Sequence, residues 1–239
     1  MDLHGQRVVV LGGTSGVGLA VAAGAGSAGA EVVVVSSRRS SVDKALSVLP
    51  GGAVGRVADL SDPATVRAVI EEVGELDHLV YTAGEPLALM SVIELDVEQA
   101  RRFFGLRFFS ALAAVSAAAP LVRPGGSITL TTGTAKDRPG AGWAVPASIC
   151  GAVEALTKAL AVELAPVRVN AVSPGVLRSP LWAGMGEAER EQMYWDIAEA
   201  IPVGRIGEVG DAAQAYLYCM TQTFTTGTVL TVDGGAVLV

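Results

Sequence analysis

The stretch Arg7-Val8-Val9-Val10-Leu11-Gly12-Gly13-Thr14-Ser15-Gly16-Val17-Gly18 decides the fold. A short aliphatic, β-branched run of strand length enters a glycine-rich turn, and the apolar segment Gly16 to Ala28 beyond it has helical length. Glycines at such a turn let backbone N–H groups approach a pyrophosphate at the helix N-terminus. One glycine-rich loop is weak evidence by itself, so its setting has to decide.

Working outward, strand-length apolar runs recur at Glu31 to Val35, Gly52 to Ala58, Leu76 to Thr82, Ser127 to Thr131, Arg168 to Val172 and Val229 to Val232. Between them lie helical stretches at Val42 to Val48, Pro63 to Val73, Val97 to Ala119, Ala147 to Leu164, Glu187 to Ala200 and Val209 to Met220. This alternation predicts an α/β fold, a Rossmann-type doubly wound sheet of about seven parallel strands with helices on both faces. No repeat, low-complexity tract or long linker interrupts it, so residues 1–239 read as a single domain. Two irregular stretches, Gly133 to Val145 and Pro174 to Gly186, follow carboxyl ends of strands, where open α/β sheets bind ligands.

The formal net charge of -7 disfavours nucleic acid and anionic membranes as partners, so any phosphate must be held locally. Met1 to Arg7 enters the first strand with no signal-type apolar stretch, and Cys150 and Cys219 lack metal-ligand spacing. A cytoplasmic, metal-free protein is expected. The Ala-rich segment Leu112 to Ala119, bounded by Arg107 and Arg123, falls short of the ~20 residues of a membrane span and reads as a buried helix.

The loop spacing is Gly-x-x-x-Gly-x-Gly, and Asp59-Leu60, Ala83-Gly84, Arg168-Val169-Asn170 through Pro174-Gly175, Gly204-Arg205-Ile206-Gly207 and Thr226 to Gly235 follow in order. In these motifs the whole chain resembles the short-chain dehydrogenase/reductase family. The resemblance implies a nicotinamide dinucleotide on Gly12, Thr14, Ser15, Gly16, Val17 and Gly18, with Ala83, Gly84, Pro174 and Gly175 beside it. It further implies Asp59 and Leu60 at the adenine and Val176 and Ser179 at the nicotinamide carboxamide. Tyr81-Thr82 replaces the family's two asparagines before Ala83-Gly84.

About 20 residues past the last glycine, where a carboxylate would hold the 2'-OH of NAD, stand Ser36, Ser37, Arg38 and Arg39. Guanidinium groups pair well with a 2'-phosphate, so NADP(H) is the expected cofactor; a solvated basic turn is the alternative.

The family's catalytic set is a Tyr-x-x-x-Lys helix, a serine after the fifth strand and an asparagine in the preceding long helix. Registering the chain on Ala152 to Leu164 puts Cys150 at the lysine position, Pro146 at the tyrosine and Gly133 at the serine; counting back from Pro120 puts Arg107 at the asparagine. Neighbours offer no substitute. Tyr81 is on another strand, His4 and His78 lie at strand entrances, and Lys158 is ~12 Å of helix beyond Cys150. Thr132 and Thr134 can orient a carbonyl or serve as ordinary structural residues. Pro146 suits the first turn of a helix from about Ala147, and Cys150 in an apolar helix reads as a small hydrophobe.

Arg107 shares a helical face with Phe104, Phe108 and Ala111, so it should be buried. A buried guanidinium wants a partner, either a substrate or cofactor anion or a structural carboxylate. Trp143, Trp182 and Met185 fall in the two irregular loops and can wall an apolar substrate pocket, cover the core or meet a second subunit.

Three functions stay open. An atypical NADP(H)-dependent oxidoreductase acting on a small molecule without the Tyr-Lys mechanism ranks first, ahead of a non-enzymatic NADP(H) sensor and a non-redox isomerase or cyclase. The resemblance also implies a homo-oligomer built on the long helices from Val97 and Ala147, with a tetramer favoured over a dimer.

Overall fold

The computed structural model describes residues 2–239. Strands β1 (Arg7–Leu11), β2 (Glu31–Ser36), β3 (Val54–Val57), β4 (Leu76–Tyr81), β5 (Val122–Thr131), β6 (Arg168–Pro174) and β9 (Val229–Val232) form one sheet. Their order is β3-β2-β1-β4-β5-β6-β9, and every neighbouring pair is parallel. A short side pair joins β7 (Leu177–Arg178) and β8 (Gly207–Glu208).

The aliphatic runs supply both faces because side chains alternate along a strand. Val8 and Val10 of β1 point to one side, where α1 (Gly16–Ser27), α2 (Arg39–Leu46) and α8 (Val209–Thr221) pack through Val21, Ala45 and Leu217. Val9 and Leu11 point to the other, against α3 (Pro63–Val73), α5 (Ser110–Ala118) and α6 (Ala144–Glu163) through Ile70, Val115 and Val153. Each such fully buried aliphatic side chain contributes about 1.5–3 kcal/mol. Helix α4 (Val97–Phe104) leads towards α5, and α7 (Glu187–Ala200) follows β7. Asp62 caps α3 by accepting from the N–H groups of Ala64 and Thr65, with Pro63 in the first turn.

Several boundaries differ from expectation, each for a physical reason. Strand β5 starts at Val122, not Ser127, because Pro124-Gly125-Gly126 forms an irregularity within the strand: Val122 pairs with Leu76 and Ser127 with His78. Helix α6 starts at Ala144, not Ala147; Pro146 still lies in the first turn, where its missing N–H has no partner to lose. Helix α2 starts at Arg39, not Val42. The helix expected over Val97 to Ala119 contains a π-helical turn at Gly105–Phe109.

The continuous helical runs Val97–Leu121 and Ala144–Glu163 are each long and apolar enough to cross a membrane. The first runs on past Arg107, contrary to expectation, since that guanidinium is tucked inside the protein. Both runs lie against the sheet and place Ala114, Val115, Val153 and Leu160 in the core.

Candidate functional site

A cavity of about 600 Å³ lies at the carboxyl ends of β1 to β6, where the strand order reverses on either side of β1. One arm runs along the turn from β1 to α1, lined by Gly12, Thr14, Ser15, Gly16, Val17 and Gly18. A Cβ on Gly18 would run into the main-chain oxygen of Gly12 and the Thr82 hydroxyl, so glycine is required for this close approach. Ser15 at the N-cap of α1 makes no side-chain hydrogen bond. The first N–H groups of the helix are therefore free to meet an anion.

At the end of β2, Ser36, Ser37, Arg38 and Ser41 line the same arm. Arg38 is the extended N-cap residue of α2 and faces the cavity, whereas Arg39 does not line it. The change from extended backbone at Arg38 to helix at Arg39 turns the two side chains in different directions. Arg39 instead reaches Asp43 one turn on, at 3.9 Å. After β3, Leu60 is buried and Asp59 accepts from the N–H and hydroxyl of Ser61 at 3.0 and 2.7 Å, bonds that lower its pKa.

The other arm is a chamber bounded by the ends of β4, β5 and β6. Gly133, Pro146 and Cys150 lie together in it, and Thr132, Thr134, Trp143, Trp182, Pro174, Gly175, Val176 and Ser179 also line it. Pro146, Ile149 and Cys150 share one face of α6 through their i, i+3, i+4 spacing. A Cβ on Gly133 would lie 3.3 Å from Cys150 Sγ. Burial raises the thiol pKa, with Thr132, Arg107 and Lys136 opposing it, so Cys150 stays a protonated thiol near neutral pH. Thr132 donates to the Cys150 carbonyl at 2.8 Å, and Thr131 to that of Tyr81 at 2.6 Å, both structural uses.

Arg107 enters the chamber from the π-helical turn. Its guanidinium stacks 4.5 Å over Phe103, donates to the Glu85 carbonyl and lies 3.5 Å from the Glu85 carboxylate. The partner is thus a carboxylate of the protein itself, and the stacking ring is Phe103. Phe103 stands four residues before Arg107, an ordinary i, i+4 pair on one helical face. Burial lowers the Arg107 pKa while Glu85 raises it.

Tyr81 lines the chamber after all, yet its hydroxyl donates to Leu106 O at 2.5 Å and burial drives its pKa upward. It is a clamp on the π turn. Lys158 pairs with Glu154 at 2.6 Å on the outer side of α6, and His78 lies in a separate pocket at the opposite end of the sheet. Over the chamber, Trp182 Nε1 donates to Leu177 O at 3.2 Å. Leu87 N and Met90 N donate to Leu181 O and Gly142 O at 3.0 and 2.9 Å, tying the loop after β4 to both irregular loops. Met185 does not line the cavity; its N–H turns back onto Trp182 O at 3.0 Å. Sequence reasoning missed Ser41, Glu85, Leu87 and Phe103. Glu85 carried one usable signal, as the acid directly after the small pair Ala83-Gly84.

A family model described as an SDR-like Rossmann domain matches residues 2–239. The chain is 36% identical over 251 residues to a short-chain dehydrogenase/reductase of Stachybotrys chlorohalonatus, covering 99% of this chain and 98% of that protein. A small-chain dehydrogenase solved in complex with NADPH is 38% identical, with a TM-score of 0.86 over 98% of this chain and 99% of that one. The MalC reductase/Diels-Alderase of Malbranchea aurantiaca superposes with a TM-score of 0.91 at 29% identity, over 99% and 98% of the two chains. Full-length matches at these identities, on this sheet order and this glycine-rich turn, place the protein in the short-chain dehydrogenase/reductase family.

Proposed function

We propose that residues 1–239 act as one NADP(H)-binding unit and that the protein is an oxidoreductase for a small molecule, working without a tyrosine-lysine pair. The observation that carries this reading is the continuous cavity, which runs from Arg38 through the glycine-rich turn to the chamber at Gly133, Pro146 and Cys150. The residues fit the cofactor: the Gly18 cradle admits a backbone-bound pyrophosphate, and Arg38 with Ser37 and Ser41 offers donors but no carboxylate to a 2'-phosphate. Asp59 and Leu60 would hold the adenine, and Ala83, Gly84, Pro174, Gly175, Val176 and Ser179 the nicotinamide half. Bound there, NADPH supplies a hydride to an acceptor in the chamber.

Glycine, proline and a protonated thiol occupy the family's serine, tyrosine and lysine positions, so the proton that balances a carbonyl reduction comes from water or from the substrate. General acid catalysis contributes about 10²–10⁴-fold, which an activated acceptor can forgo. Thr132, Thr134, Trp143 and Trp182 then position and enclose the substrate. A second reading, cyclisation without net redox change, is favoured by the likeness to a protein named both reductase and Diels-Alderase. The exposed Phe109 and Val162, on the long helical runs, support a homo-oligomer, a tetramer being favoured.

Titration with NADPH and NADH tests the cofactor assignment, and the expected result is tighter binding of NADPH. Equal affinities would defeat the role given to Arg38. Oxidation of NADPH across aldehydes, ketones, quinones and imines tests the redox reading; product without any change in the nicotinamide would favour the second.

A further inference from the structure

The chamber's walls are apolar at Phe103, Leu106, Ile149, Trp143 and Trp182, and two charges stand against them, Arg107 and Glu85. The guanidinium is held on both faces. Phe103 lies under it at 4.5 Å, and on the other side it packs against Gly84, where a Cβ would come within 2.9 Å of Nη1. Its Nη2 donates to the Glu85 carbonyl. Nε and Glu85 Oε2 face each other at 3.5 Å, and each is buried without a hydrogen-bond partner. Among the described residues, Nη1 and Glu85 Oε1 form no hydrogen bond either.

The pair carries no net charge. An anionic ligand would gain from Arg107 and be repelled by Glu85, and a cation would meet the reverse. A neutral group presenting an acceptor beside a donor satisfies both residues at once. We propose that Arg107 and Glu85 form a donor–acceptor anchor that selects neutral ligands carrying a carbonyl oxygen next to an N–H or O–H, as in lactams, cis amides and hydroxy ketones. The carbonyl oxygen takes the free Arg107 donor, and the adjacent N–H or O–H is accepted by the Glu85 carboxylate. This rests on the reading of the chamber as a substrate site.

The test uses the full chain, with and without saturating NADPH, titrated by ligand-observed NMR with oxindole, N-methyloxindole and phenylacetate. Oxindole is expected to bind about tenfold more tightly than either analogue, because each leaves one member of the pair unpaired or repelled. Arg107→Met and Glu85→Leu should remove that preference, whereas Glu85→Gln, which keeps an acceptor oxygen, should retain it. Tightest binding of phenylacetate, equal binding of all three, or binding of none overturns the proposal on the unmutated protein. If NADPH fails to bind while oxindole is still preferred, the cofactor assignment falls alone. If NADPH binds and no preference is seen, the anchor falls alone.

Discussion

Mild acidification, above the carboxylate range, should destabilise this protein through His78. Its ring is buried at the end of the sheet remote from the cavity, with Nδ1 2.9 Å from Ser127 Oγ and Nε2 2.7 Å from Gln6 Oε1. The Gln6 oxygen only accepts, so Nε2 carries the proton and Nδ1 accepts from the serine hydroxyl. Burial, reinforced by the nearby Arg168 charge and opposed by Asp77, lowers its pKa from 6.5 to about 4. Above pH 6.5 neither folded nor unfolded chains protonate this ring, and its stabilising contribution is fully present. Between that value and about 4 the unfolded chain binds a proton that the folded chain refuses, so stability falls as pH falls. At 1.36 kcal/mol per pKa unit the loss is roughly 2 to 3 kcal/mol between about pH 7.5 and about pH 4.5.

Urea unfolding followed by tryptophan fluorescence across that range should show the loss in the parent protein, and a much shallower dependence in His78→Gln. With only two histidines in the chain, ring-proton NMR can follow the folded-state titration directly. Parallel stability profiles for parent and variant, or a folded-state midpoint near 6.5, would refute the reasoning.

Arg38→Asp should weaken NADPH by roughly ten- to a hundredfold and turn the preference to NADH, since one or two charge-assisted hydrogen bonds are lost and a carboxylate gained; fluorescence titration of both nucleotides reads this. Gly18→Ala places a Cβ against Gly12 O and the Thr82 hydroxyl, both fixed by backbone, and should cost about 1–3 kcal/mol of stability together with NADPH binding. Tyr216→Phe removes the buried 2.8 Å bond to Thr131 behind the chamber and should lower stability by about 1 kcal/mol in denaturant melts, leaving NADPH affinity within twofold or so.

The strand, the glycine-rich turn and the alternation of elements were legible because they depend on local rules. Aliphatic alternation sets which face of β1 meets which helices, and a glycine at a crowded turn has no substitute. The shared face of Cys150 and Pro146 was equally legible, because a four-residue spacing on a helix means one face whatever lies around it; that Gly133, outside the helix, meets them is a matter of tertiary contact. Element ends were less so: Pro124-Gly125-Gly126 reads as a turn until the neighbouring strand β4 shows it to be an irregularity inside β5.

What sequence could not settle was direction and partnership in the chamber. Arg38 and Arg39 look equivalent until the start of α2 sends one into the cavity and the other to Asp43. Arg107 awaited a partner, and Glu85 supplied it from the loop after β4, 22 residues earlier. Tyr81, set aside in the sequence as lying on another strand, lines the chamber, but its hydroxyl is taken by Leu106 O of the π turn. The sequence by itself determined the alternation of strands and helices and the glycine-rich turn, because each follows from local patterning along the chain. The tertiary structure alone decided which polar groups are spent on the protein and which remain for a ligand, because that depends on loops from six strand ends meeting at one place.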